Sequence, residues 1–86
     1  MMKIEKVSLE LYREIKAKYQ DRLLLFRDGD IYAAYGDDAE SVSKIARSIS
    51  RGDDDRVEFP CYMLDSYLPQ FIRKGYKVGI WEAVKN

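Results

Sequence analysis

Three sets of side chains could carry chemistry. Asp28, Asp30, Asp37 and Asp38 lie close enough in sequence to suggest a cation site. Counted as a calcium loop from Asp28, position six needs glycine and holds Ala33, and position twelve needs a bidentate glutamate and holds Ala39. A turn accounts for Asp28 and a helix cap for Asp37 or Asp38, so no metal is expected. Cys61 is the single cysteine, and the chain has no histidine. A nucleophilic thiol needs a base and a disulfide needs a second thiol, so Cys61 reads as a small packing residue. The lack of histidine also removes Ser-His chemistry and most zinc sites. No catalytic constellation and no cofactor site is left. Arg73, Lys74, Lys77 and Lys85 form the third set, interleaved with Tyr76 and Trp81. Cations beside aromatics suit phosphates and bases, and Lys74 and Lys77 are the candidate phosphate contacts. The competing reading makes Tyr76 and Trp81 core and leaves the charges to solvate the surface.

Composition bounds these options. The 86 residues allow one domain, taken as 1–86. An apolar fraction of 47% is ample for a packed core. Fifteen basic residues balance fifteen acidic ones, whereas nucleic-acid binders draw affinity from a basic excess. Any DNA contact must therefore use a local patch, a partner protein or weak binding. The start, Met1-Met2-Lys3, carries no apolar leader, and no membrane span follows. A cytoplasmic protein away from membranes is expected.

The elements that would position these groups follow from periodicity. Ser8 can cap a helix to about Tyr19, with Leu11, Tyr12, Ile15 and Tyr19 on one face. Leu23 to Arg27 is a short apolar run suited to a strand buried on both faces. Asp28-Gly29 signals a tight hairpin, returned by Asp30 to Tyr35. On that strand Ile31, Ala33 and Tyr35 share one face, and Tyr32 and Ala34 the other. Asp37 or Asp38 would cap a second helix to about Ser50, with Val42, Ile45, Ala46 and Ile49 as its stripe. Residues 51–55 read as a polar loop, and Arg56 to Phe59 as a strand closed by Pro60. A third helix takes Leu64, Leu68, Phe71 and Ile72 as its stripe, and Gly75 ends it. Pro69 fits a start near Asp65 or Ser66 and otherwise predicts a kink. Tyr76 to about Val84 is the last strand, with Val78, Ile80 and Trp81 as buried candidates and Gly79 marking a bulge or close packing. The fold class is α/β (α+β): a mixed β-sheet flanked by three helices.

Two separated blocks of this sequence resemble one family. Tyr12 to Tyr19 (YREIKAKY) with LLLFRDGDIYAAYGDDA, and later Phe59-Pro60, Asp65 to Leu68 and Ile72 to Glu82 (IRKGYKVGIWE), resemble the start of MutS-type mismatch-repair proteins. The order and spacing hold along nearly the whole chain. The resemblance implies the fold of the N-terminal, mismatch-recognition domain of that family. It also implies double-stranded DNA, bound weakly, and a larger repair protein as partners. In the family an aromatic and a glutamate two residues on, directly after Gly-Asp, read the mispair. The positions that correspond here are Ile31 and Ala33. Isoleucine can wedge between bases but lacks a π face, and alanine lacks a hydrogen-bonding group. Arg51 aligns with a basic residue that the family places after its second helix, which implies a phosphate contact. The chain has no phosphate-binding GxxxxGK[ST] loop, so it carries no ATPase.

Two functions stay open at this stage. One is a module that binds mismatched or distorted DNA in mismatch repair. The other is a non-catalytic protein-interaction or scaffold module that keeps the fold and has lost mismatch recognition. The resemblance favours the first; Ile31, Ala33 and the zero net charge favour the second.

Overall fold

The computed structural model describes residues 2–4, 7–46, 49–51 and 56–83. Their elements run β1 (Met2–Ile4), α1 (Leu9–Lys18), β2 (Arg22–Asp28), β3 (Ile31–Ala34), α2 (Gly36–Ile45), β4 (Ile49–Arg51), β5 (Arg56–Pro60), α3 (Leu64–Arg73) and β6 (Lys77–Ala83). They form a six-stranded sheet in the order β1-β6-β2-β3-β5-β4. The β1, β6 and β2 strands pair in parallel, and β2, β3, β5 and β4 pair antiparallel. The mixed sheet flanked by three helices is thus the observed fold. None of the described helices is long and apolar enough to cross a membrane.

The apolar run in β2 explains the layering. Leu23 and Leu25 point into one core with Tyr32, Ala34, Val57 and Phe59, which α2 and α3 cover through Val42, Tyr67 and Phe71. Leu24 and Phe26 point into the other, with Ala33, Tyr35 and Trp81, which α1 covers through Tyr12. A strand buried on both faces must be apolar at consecutive positions.

Local chemistry sets the ends of the elements. Ser8 Oγ accepts from Leu11 N at 3.1 Å and starts α1. After α3, Tyr76 N donates to Phe71 O at 3.1 Å and Gly75 N to Ile72 O at 2.9 Å, with Gly75 at φ 95°. That paired closure needs a left-handed residue, and glycine takes it without strain.

Five expectations need correction. The hairpin turn is Gly29-Asp30, because Asp28 still pairs with Ile31; Gly29, at φ 66°, takes the first turn position. Neither Asp37 nor Asp38 caps α2. The helix begins at Gly36 after Tyr35, and both aspartates sit in its first turn. It ends at Ile45, and Ile49 enters β4 against β5; a β-branched residue suits that strand. Ile72 is 59% exposed, and Tyr67 with Phe71 makes the buried stripe of α3. Pro69 lies inside α3, which starts at Leu64, preceded by a 3₁₀ turn at Cys61–Met63. The sequence reading also missed β1 and β4, each only three residues long. The acidic residues 53–55, Arg47 and Lys85 lie outside the described residues.

Asp38 links the layers. Its side chain is buried, with Lys16 Nζ of α1 at 3.0 Å from Oδ1 and the backbone N–H of Leu24 donating to Oδ2 at 3.2 Å. The β2–β3 pairing covers Phe26 to Asp28, so Leu24 lies beyond its reach. The carboxylate therefore serves as that amide's acceptor. Lys16 also donates to the Arg22 carbonyl. Burial first, and then the Asp38 charge, pushes the neighbouring Tyr12 phenol up to about 12.

Two stability predictions follow from this packing. Asp38→Ala strands Lys16 and the Leu24 amide, and should cost about 3 kcal/mol, read as a drop in the urea midpoint. At Gly79 an added Cβ would lie 2.5 Å from the Trp81 ring. Gly79→Ala should therefore cost about 1–3 kcal/mol, with Trp81 fluorescence reporting the displaced ring.

Candidate nucleic-acid interface

The two positions at which a mispair would be read share one face at the hairpin end of the sheet. Ile31 opens β3 opposite Asp28 of β2 and Pro60 of β5, and is half-buried. Ala33 lies opposite Phe26 and Glu58, and is 0% exposed. Tyr32 points the other way and stacks on Phe59, with ring centroids 5.6 Å apart. The alternation read from the sequence is therefore present. Ile31 keeps an accessible apolar edge, but Ala33 presents nothing to a ligand.

A charged network that sequence reasoning missed occupies this face. Arg56 Nε donates to Glu58 Oε2 at 2.8 Å, one terminal nitrogen donates to the Tyr35 hydroxyl at 2.8 Å, and the other lies 3.5 Å from Asp28 Oδ2. The guanidinium also lies over the Tyr35 ring, 5.6 Å from its centroid. Burial alone would depress the Arg56 pKa, but the Tyr35 oxygen and the Glu58 carboxylate outweigh it and hold it above its ordinary value. The signal was present in the sequence. Arg56 and Glu58 are two apart on a strand and so share a face. Counting register across β3 would have set Glu58 beside Ala33.

The remaining candidates lie elsewhere. Lys77 opens β6 beside Arg22, at the far end of β2 from the hairpin. Six residue steps separate Arg22 from Asp28, which is about 20 Å along a strand. Lys74 is exposed at the end of α3, and Lys77 lies 3.7 Å from Asp21 with both side chains in solvent. Arg51 pairs through its backbone with Arg56; its side chain lies outside the described residues. Trp81 is core, packed on Phe26 and Tyr19, and Tyr76 packs against the core from its edge. The aromatics of the basic segment are therefore not free to stack on bases. Cys61 packs at the hairpin, its Sγ 3.7 Å from the Gly29 carbonyl, and burial pushes its thiol pKa up. Among the described residues no cluster could hold a metal ion.

Charge limits what the hairpin end can do. Among the described side chains, Asp28, Asp30, Glu58 and Glu82 stand against Arg27 and Arg56 towards that end. Carboxylates there would repel phosphates at long range. At the opposite end Lys74, Lys77 and Arg22 are exposed.

Comparison with known proteins matches this sequence to a family. MutS domain I matches residues 7–86. "DNA mismatch repair protein MutS" of Fervidobacterium nodosum is 42% identical over 80 residues, covering 91% of this chain and 10% of the relative. The MutS proteins of Thermosipho melanesiensis and Methanosarcina acetivorans are 38% and 36% identical, each covering 100% of this chain. The chain spans about a tenth of the length of these relatives.

The Arg56 network gives a stability test of its own. Arg56→Met removes the guanidinium that Glu58, Tyr35 and Asp28 share on a partly buried face. A loss of about 1.5–3 kcal/mol is expected from the charge-assisted hydrogen bonds removed. Urea unfolding should show it, and Lys77→Met, which removes only an exposed charge, should change stability by less than about 0.5 kcal/mol.

Proposed function

The chain belongs to the MutS domain I family, and from that premise we propose that it is a non-catalytic, DNA-associated module that binds mismatched or distorted duplex weakly. The observation that carries this reading is the match over residues 7–86, together with a β2–β3 hairpin that presents Ile31 as an apolar edge. Minor-groove proteins commonly use isoleucine as a wedge between base steps, at an unstacking cost of a few kcal/mol. A mispaired step is easier to open than a paired one, so even a wedge without a π face favours it. Aromatic stacking would add about 1–3 kcal/mol, and its loss at position 31 agrees with weak binding. Lys74 and Lys77 supply sequence-independent attraction, which the zero net charge keeps small. The module acts beside a larger repair protein; its relatives, about ten times longer, carry this region within one chain.

One observation favours a second reading. Ala33 is fully buried beside the Arg56 network, so nothing at that position can hydrogen-bond a base. A protein-interaction module that has lost mismatch recognition would tolerate this arrangement.

Fluorescence anisotropy with a G·T duplex and its matched control, at low salt, separates the two. The DNA reading expects tighter binding to the mismatch, with log affinity falling by about 0.9 per neutralised phosphate against log salt. Ile31→Ala should abolish the preference, whereas Lys74→Glu/Lys77→Glu should weaken both duplexes alike. Absence of binding to either duplex, with the protein folded, would sink the DNA reading and leave the protein-interaction one.

A further inference from the structure

The geometry points to Arg56 as the groove-reading group of this domain, donating to the minor-groove edge of the base step that Ile31 opens. The inference rests on the DNA reading above and adds to it a residue and a ligand atom.

Position is the first argument. Arg56 reaches Asp28, and Asp28 is the direct cross-strand partner of Ile31. Directly opposed residues hold their Cβ atoms about 5 Å apart. The guanidinium reaches along the sheet from the far end of β5 to the carboxylate opposite Ile31, and so ends on the face that Ile31 shares. Ala33, between these strands, offers only a methyl group and leaves room for the long Arg56 side chain.

Spare donors are the second. A guanidinium has five N–H groups in a fixed fork. The hydrogen bonds to Glu58 and Tyr35 engage one hydrogen on Nε and one on a terminal nitrogen, and the other terminal nitrogen lies 3.5 Å from Asp28 Oδ2 as an ion pair. Among the described residues each terminal nitrogen thus keeps at least one hydrogen outside these hydrogen bonds, and the side chain is 20% exposed. The minor-groove edge of an A·T pair offers only acceptors, adenine N3 and thymine O2. A group with donors alone, held on several sides, meets that edge with little ordering left to do. The exposed Lys74 and Lys77 have the same charge without the fixed direction.

Pairing with a wedge is the third. Proteins that kink DNA from the minor groove combine an inserted apolar side chain with an arginine or lysine that reads the groove. Ile31 and Arg56 are such a pair. The carboxylates on either side of Arg56 also explain why it would read bases rather than grip phosphates. Its charge is already neutralised locally, while its remaining donors still have direction.

The test changes the DNA, so it does not depend on any variant folding. A G·T duplex flanked by A·T pairs is compared with one whose flanking adenines are replaced by 3-deazaadenine, which removes the N3 acceptor and keeps Watson–Crick pairing. The natural protein should lose about five- to tenfold in affinity on the modified duplex. Arg56→Lys, checked for folding by circular dichroism, should bind the two duplexes equally. Equal binding of both duplexes by the natural protein, with its mismatch preference intact, would overturn the role of Arg56 and leave the DNA reading standing. An equal loss in the natural protein and in a folded Arg56→Lys would assign the groove contact to another residue and also overturn it. Absence of binding to any duplex would remove the DNA reading, and this inference with it.

Discussion

The carboxylate of Asp38 holds the three layers of this domain in place. It sits in the first turn of α2, on one side of the sheet, and bonds to Lys16 of α1, on the other. Between them it accepts the Leu24 amide of β2. Burying a carboxylate is costly unless a cation and hydrogen bonds compensate it, and here both are present. The link fixes where α2 begins, and so where β3 must end. That sets the length of the β2–β3 hairpin and the position of Ile31 at its tip.

From that anchor the site is a matter of register. Pairing Asp28 with Ile31, Phe26 with Ala33 and Ala33 with Glu58 sets the hairpin tip, the small alanine and the Arg56 network on one face. A slip of one residue would turn every one of these side chains to the opposite face. The tight Gly29-Asp30 turn and the two-sided burial of β2 make such a slip costly. The two ends of the sheet differ. The hairpin end has the accessible apolar edge of Ile31 and the Arg56 guanidinium, and the far end has exposed Lys74 and Lys77. The weak, short-range DNA recognition proposed above accords with that difference.

Much of this was legible in the sequence because several signals agreed. Ser8, the two-sided run at Leu23 to Phe26, and Gly75 each have one physical role, and each appears in it. The resemblance carried by residues 12–39 and 59–82 fixed the family. Signals with two uses misled. Asp38 has the chemistry of a cap, but tertiary contacts to Lys16 and Leu24 claimed its carboxylate. Ile49 continued a helical stripe, but a β-branched residue also suits β4, and pairing with β5 decided it. Ile72 followed the apolar period of α3, yet the bulkier Tyr67 and Phe71 took the buried face. The i, i+2 spacing of Arg56 and Glu58 showed that they share a face, but their partners Tyr35 and Asp28 lie across strands and emerge only when register is counted.

The central claim is that DNA, if bound, is met at the hairpin end. Backbone amide shifts of the ¹⁵N-labelled chain, titrated with a G·T duplex, test it most directly. The account predicts the largest changes at Gly29, Asp30, Ile31 and Arg56 to Glu58, with smaller ones at Lys74 and Lys77. Changes confined to the Lys74 and Lys77 end, or none at saturating duplex, would contradict it.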